Sequence, residues 1–239
     1  MKYIESSYFD ERDTPIDMLV IHCSAQTGRQ MVKLLNELKL SVHYIVDENG
    51  NIIQCVSEDK RAWHAGKGFW HNGRQSLNSR SIGIEISSLT LGQDAYTPAQ
   101  IRSLVSLCQS IIQRHAIPAR NVVGHSDIAP TRKPDPGFAF PWQELSQNSI
   151  GLWYNLADAA NISDNNIANL LSQIGYDTAD PQTIRASAYA FCRHFLPQYV
   201  QKDDDINHLI NNILPTDFSF IDNTDFMQTL KAVAWSYNH

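Results

Sequence analysis

Ser81-Ile82-Gly83-Ile84-Glu85-Ile86-Ser87 is the stretch from which the fold is read. Its three isoleucines alternate with Gly83, Glu85 and Ser87, and in an extended chain alternate side chains point to opposite faces. One face is therefore apolar, and Glu85 projects from the other beside a glycine. Upstream, Asp17-Met18-Leu19-Val20-Ile21-His22 is a short apolar run closed by a polar residue, the pattern of a buried strand with His22 at its end. Ser41–Asp47 and Ile52–Val56 are β-rich runs separated by Glu48-Asn49-Gly50-Asn51, and Asn-Gly favours a tight hairpin. Downstream, Asn121–Gly124 forms a short strand that delivers His125.

Helical patterns lie between these strands. Met31, Leu34, Leu35 and Leu38 recur at helical spacing, so residues 30–39 form a helix packed on the sheet. Thr97, Pro98 and Gln100 are a capping box with proline in the first turn, opening a helix whose apolar face is Ile101, Leu104, Val105, Cys108, Ile111 and Ile112 before Pro118 stops it. After Trp142 strand patterns vanish. Ser163 is read as the cap of a helix carrying Ile167, Leu170, Leu171 and Ile174, which Gly175 ends, and Asp180-Pro181 opens another with Ile184, Ala188, Phe191 and Phe195 on one side. Apolar residues in 206–214 and 225–235 indicate two more. The expected fold is α/β, a mixed central β-sheet flanked by helices over residues 1–155, followed by a small all-α domain over 156–239.

The chain has 239 residues, of which 43% are hydrophobic and 18% charged, so it can bury a sizeable core and lacks the signature of disorder. No apolar run approaches the roughly 18 residues of a membrane span, and residues 1–16 lack a signal peptide's apolar stretch. The expectation is a cytoplasmic protein, or one of the periplasm or envelope if a leader has been removed. The formal charge is −6, with 15 basic and 15 acidic residues in 1–155 but 4 and 10 in 156–239. Such a balance argues against nucleic-acid binding, which needs a basic face. The cysteines at 23, 55, 108 and 192 are far apart, without a CxxC pair, and read as reduced buried thiols.

His22 and His125 both sit at strand ends where one sheet edge can present them. Ten residues beyond His125, Arg132-Lys133-Pro134-Asp135-Pro136-Gly137 places Lys133 and Asp135 each before a proline, which favours extended backbone and puts both on one side. Two imidazoles and a carboxylate are a catalytic zinc set that leaves the fourth tetrahedral position open. Zinc so held lowers the pKa of water to about 7 and polarises a carbonyl, as hydrolysis of an unactivated amide requires. Glu85 then suits the general base and Lys133 the oxyanion stabiliser. Each residue has a plainer alternative: a hydrogen-bonded core histidine, a turn aspartate, a glutamate paired with an arginine, a solvated lysine. Their joint occurrence is what favours a site.

Ile21-His22-Cys23-Ser24-Ala25, Val42-His43-Tyr44, Ala62-Trp63-His64-Ala65-Gly66, Ser81–Ile86 and Val123–Gly137 occur in an order that resembles the type-2 zinc N-acetylmuramoyl-L-alanine amidases. The likeness covers roughly residues 17–155 and is greatest to the AmiD/AmpD-like branch, related to phage lysozyme-type amidases and peptidoglycan recognition proteins. It implies one zinc on His22, His125 and Asp135, catalysis by Glu85 and Lys133, and cleavage of the amide between N-acetylmuramic acid, intact or 1,6-anhydro, and L-alanine of the stem peptide. Peptidoglycan or muropeptide fragments are then the partners, in wall turnover or recycling. It further suggests His64, Trp63, His43, Asn78 and Arg80 as substrate contacts, Trp70 and His71 as groove residues, and 156–239 as a peptidoglycan-binding-like helical domain.

Two positions depart from relatives of this family. Val42 stands where some carry a tyrosine before the second-strand histidine, and Asp135 where others have a cysteine. Gln201–Asn223 fits the pattern poorly, and Asp203-Asp204-Asp205 is expected to be a solvated helix start. The segment between Gly66 and Ser79, rich in Gly, Asn and Ser, is expected to be an exposed loop. The alternative function is a recognition module that binds muropeptide without turnover.

Overall fold

The computed structural model describes residues 1–71, 74–200 and 202–239, without the side chains of 74–76, 202 and 209. Its centre is a six-stranded mixed sheet of β1 (Lys2–Tyr3), β3 (Met18–Ser24), β4 (Tyr44–Val46), β5 (Ile52–Gln54), β9 (Ser81–Ser87) and β10 (Val122–Gly124), in the order β1-β5-β4-β9-β3-β10. Only β4 and β5 are antiparallel, joined through the Asn49-Gly50 turn; the other neighbours run parallel. Two small antiparallel pairs lie outside it, β2 (Phe9–Glu11) with β6 (Lys60–Ala62) and β7 (Lys67–Phe69) with β8 (Arg74–Ser76).

Alternation divides each central strand between two cores. Leu19, Ile21, Cys23, Ile82, Ile84 and Ile86 enter a layer covered by α2 (Pro98–His115) and α4 (Trp142–Gln147), while Met18, Val20 and Val123 face the other way. Over that second face lie α5 (Ile167–Ile174), α6 (Pro181–Phe195) and α8 (Thr224–Asn238), whose Leu170, Phe191, Phe226 and Val233 belong to the same apolar cluster as Met18 and Val20. The C-terminal helices thus supply one layer of the sheet's own packing. Beside them α1 (Gly28–Glu37) covers β4 and β5 through Met31 and Val32 against Ile45 and Ile53.

The Thr97 capping box is present, the hydroxyl accepting from Gln100 N–H at 3.2 Å, and the helix ends at Ala116 in the left-handed region, two residues before Pro118. Four local readings are corrected. The buried face of α1 is Gly28, Met31 and Val32, with Leu38 at the cap and 57% exposed, because the helix ends two residues sooner than the leucine pattern suggests. Helix α5 starts at Ile167 with Asn166, not Ser163, accepting from Asn169 N–H. The segment after Gly66 forms β7, β8 and a 3-10 turn, with Trp70 and Leu77 in the core; positions 72 and 73 fall outside the described residues.

The fourth concerns the acidic run that opens α7 (Lys202–Asn211). Asp205 is buried against Arg193 of α6, the two side chains being 0% and 2% exposed, and it accepts a further hydrogen bond from Gln93 Nε2 at 3.0 Å. Burial of an arginine on α6 demands an anion nearby, so one aspartate of the run turns inward. Among the described residues no helix is long and apolar enough to cross a membrane.

Candidate metal centre and active site

His22 and Glu85 are register partners on adjacent parallel strands, β3 and β9, so their side chains leave the same face side by side. His125 opens α3 (His125–Ile128) directly after β10, and Asp135 follows on a turn whose Asp135-Pro136 peptide is cis. That turn is fastened by Ser126 N–H to the Asp135 carbonyl at 2.8 Å and by Tyr96 O–H to the Pro136 carbonyl at 2.8 Å. Gly92 and Gly137 pack backbone to backbone with φ of +74° and +85°, and a Cβ on Gly92 would lie 1.9 Å from the Pro136 oxygen. Neither a side chain nor a right-handed backbone fits there.

The helical layer grips the same loop. Asp127 of α3 accepts from Gly124 N–H at 2.7 Å, from Tyr176 O–H at 2.7 Å and from His194 Nδ1 at 2.9 Å. His194 is itself stacked on Trp142 at 4.0 Å. His125 is therefore held from the sheet and from the C-terminal helices together.

These elements bring three donors to one point. His22 Nδ1 lies 2.9 Å from His125 Nδ1 and 3.2 Å from Asp135 Oδ2, and His125 Nδ1 is 3.1 Å from that same oxygen. The three residues are 2%, 5% and 6% exposed. Ligand bonds of about 2.0–2.1 Å in tetrahedral geometry put donor atoms about 3.3 Å apart, close to this spacing. His125 Nε2 faces the Ala65 carbonyl at 3.2 Å, and a carbonyl only accepts, so a neutral His125 carries its proton there and leaves Nδ1 bare. Bare nitrogens converging on a carboxylate oxygen suit a cation, and among the described residues this is the cluster able to hold a metal ion.

Burial pushes His22 down to about 4, helped by His125, so it is a neutral donor at neutral pH. Burial works to raise Asp135, but its contact with the two imidazoles overrides this and holds it well below the usual carboxylate range. Glu85 moves the other way, to about 8, through burial first and the charge of Asp135 second, with Lys133 partly offsetting both. Its Oε2 is buried with no hydrogen-bond partner among the described residues. Lys133 lies within electrostatic reach of both His22 and Glu85. His22, His125 and Asp135 thus come together with Glu85 beside them, although Asp135 sits on a turn rather than on extended backbone.

The expected substrate contacts are placed differently. His43 is 0% exposed, its Nδ1 accepting from Gly83 N–H at 3.0 Å and its Nε2 facing the Lys60 carbonyl at 3.1 Å, so it braces the sheet. Arg80 forms a two-pronged ion pair with Asp17, and its guanidinium is spent there. The Asn78 side-chain oxygen accepts from His64 N–H at 3.2 Å and Ala65 N–H at 2.8 Å, shaping the loop that supplies the Ala65 carbonyl. Trp63 donates from Nε1 to Asp10 at 2.7 Å and is half-buried beside Tyr8. Trp70 is 1% exposed and belongs to the core, not a groove. His64 lies against His22, with its Nδ1 2.9 Å from His22 Nε2.

Sequence reasoning missed Asp127, Gly92 and Ser81, whose effects on the site pass through other residues. Gly83 did leave a sign, since a glycine inside a strand marks close approach.

A sequence profile described as N-acetylmuramoyl-L-alanine amidase matches residues 12–138, the span that carries all five site residues. The chain belongs to this amidase family. Among its relatives, N-acetylmuramoyl-L-alanine amidase AmiD of Escherichia coli K12 is 38% identical over 209 residues, covering 76% of this chain and 75% of AmiD. The solved E. coli AmiD complex with anhydro-N-acetylmuramic acid-L-Ala-D-gamma-Glu-L-Lys superposes with a TM-score of 0.72 at 30% identity, covering 95% of this chain and 97% of that one. AmpDh3 of Pseudomonas aeruginosa, in complex with an anhydromuramic pentapeptide, gives 0.73 at 30% identity over 95% and 94% of the two chains. The amidase likeness in structure therefore extends through the C-terminal helices, beyond the span of the family profile.

Proposed function

We propose that this amidase hydrolyses the bond between the lactyl carbonyl of N-acetylmuramic acid, intact or 1,6-anhydro, and the L-alanine nitrogen of the stem peptide, with one zinc ion on His22, His125 and Asp135. The observation that carries the reading is the buried three-donor set with a partnerless carboxyl beside it. Zinc held by two imidazoles and one carboxylate would keep net positive charge and would supply a Lewis acid able to acidify water and polarise a carbonyl.

The chain's own residues do the rest. Glu85 leaves the sheet on the same side as His22; once the positive charge of the bound cation draws its carboxyl into the ionised form, Oε2 takes a proton from the attacking water and returns it to the departing nitrogen. The Lys133 ammonium stabilises negative charge on the carbonyl oxygen as the tetrahedral carbon forms. Water's oxygen ends on the lactyl carboxylate, and the peptide leaves with a free L-alanine amine. Incubating the zinc-loaded protein with anhydro-muramyl tripeptide and with intact N-acetylmuramyl tripeptide tests this, with products read by mass spectrometry. The expected product is a tripeptide beginning with L-alanine, absent after chelation. Cleavage at any other bond, or none with zinc bound, overturns the reading.

A further inference from the structure

His64 has both ring nitrogens committed inside the protein. Its Nδ1 meets His22 Nε2 at 2.9 Å and its Nε2 meets Ser81 Oγ at 3.2 Å. Ser81 Oγ is in turn 2.6 Å from the Leu77 carbonyl. Proton accounting orders this chain from its far end. A carbonyl only accepts, so the single Ser81 hydroxyl proton goes to Leu77, and Ser81 Oγ faces His64 as an acceptor. His64 must then carry its proton on Nε2, which leaves its Nδ1 bare. A bare Nδ1 accepts only if His22 is protonated on Nε2. With one proton per neutral imidazole, the His22 Nδ1 lone pair is turned toward His125 and Asp135.

The opposite arrangement has a visible cost. If His22 carried its proton on Nδ1, its bare Nε2 would face His64 Nδ1. Supplying a proton there would strip His64 Nε2 and set its lone pair against Ser81 Oγ. One buried contact would then lack a hydrogen at a place no cation can fill, whereas in the first arrangement the contact without one is His22 Nδ1 against Asp135 Oδ2 at 3.2 Å, where the metal would sit.

The sheet is shaped to receive this ring. A Cβ on Gly83 would come within 2.5 Å of His64 Cγ and Nδ1, so the imidazole lies flat on bare backbone. His43 holds that same backbone by accepting Gly83 N–H.

We propose that His64 is a positioning residue rather than a substrate contact: with Ser81 and the Leu77 carbonyl it fixes His22 in the Nε2–H tautomer before metal arrives, presenting Nδ1 as a ready ligand. The inference rests on the metal reading above. Groups that orient a metal-binding histidine through its other nitrogen typically change affinity by about 10–100-fold when removed.

The test uses the full chain after chelation, with long-range proton–nitrogen NMR of the imidazoles and zinc affinity by competition against a chromogenic chelator. In the parent protein the His22 proton is expected on Nε2 without metal. His64→Leu should weaken zinc binding by about 10–100-fold, whereas His64→Asn, whose side-chain oxygen can replace the Nδ1 acceptor, should stay within a few-fold of the parent. Ser81→Ala should leave the fold intact and turn His22 into a tautomer mixture, a change that loss of packing alone would not produce. A His22 proton on Nδ1 in the parent, or unchanged tautomer and affinity in Ser81→Ala and His64→Leu, overturns the inference. If the parent binds no zinc, the metal reading fails instead, and the two failures are distinct.

Discussion

Replacing Glu85 by glutamine should make the chelated protein more stable and the zinc-loaded enzyme nearly inactive. The carboxyl's pKa is raised from 4.5 to about 8, by burial and then by Asp135. A folded-state pKa above the unfolded one means that the native state binds the extra proton, so stability falls as pH rises through this interval. At pH 7 the unfolded chain has lost a proton that the folded state retains. Each pH unit above 4.5 costs about 1.4 kcal/mol, giving roughly 3 kcal/mol at pH 7 and leaving about 2 after water screening of a partly exposed side chain. Urea denaturation of chelated Glu85→Gln and parent should therefore coincide near pH 4.5, then separate, with the variant about 2 kcal/mol more stable at pH 7 and the gap levelling off above pH 8. Loss of the proton carrier should reduce the zinc enzyme's turnover by about 10²–10⁴-fold. A gap that does not change with pH, or a parent more stable than the variant, would refute the reasoning.

Three other perturbations probe the scaffold. Asp205→Ala strands the buried Arg193 guanidinium and should cost about 3–5 kcal/mol in chemical denaturation, whereas Arg193→Met with Asp205→Leu should recover most of it. Gly92→Ala, whose Cβ would meet the Pro136 oxygen at 1.9 Å from a backbone at φ +74°, should lose about 2 kcal/mol or more and weaken zinc binding through the displaced Asp135 turn. Glu58 illustrates the acid limb: burial works to raise its pKa, but hydrogen bonds from Arg114, His115 and Tyr44 outweigh this and bring it to about 2. Its contribution, about 2 kcal/mol after allowance for screening, is present above pH 4.5 and lost as pH falls toward 2. Glu58→Gln should flatten the stability profile in that window.

The sheet was legible because alternation is a local property. Ile82, Ile84 and Ile86 fall on one face whatever lies above them, and the same rule put Glu85 on the side of His22. The three donors were readable from strand ends and from the spacing around Asp135. The tertiary roles of their neighbours were hidden. Nothing near Arg80 in sequence announces Asp17, 63 residues away. His43 resembles a site residue until Gly83 and Lys60 are seen to use both its nitrogens. Asp205 reads as solvated because its partner sits on another helix. Length and polarity suggested a loop for 66–79, where the Trp70 and Leu77 side chains instead bind the segment to a core built largely by the C-terminal helices.

The most direct test of the account is release of the L-alanine-terminated peptide while zinc is titrated back into the chelated protein. Activity should rise linearly and break at one zinc per chain, and Asp135→Ala should show no break under the same conditions. Release that persists without metal, or a break at another stoichiometry, would contradict a single ion on His22, His125 and Asp135.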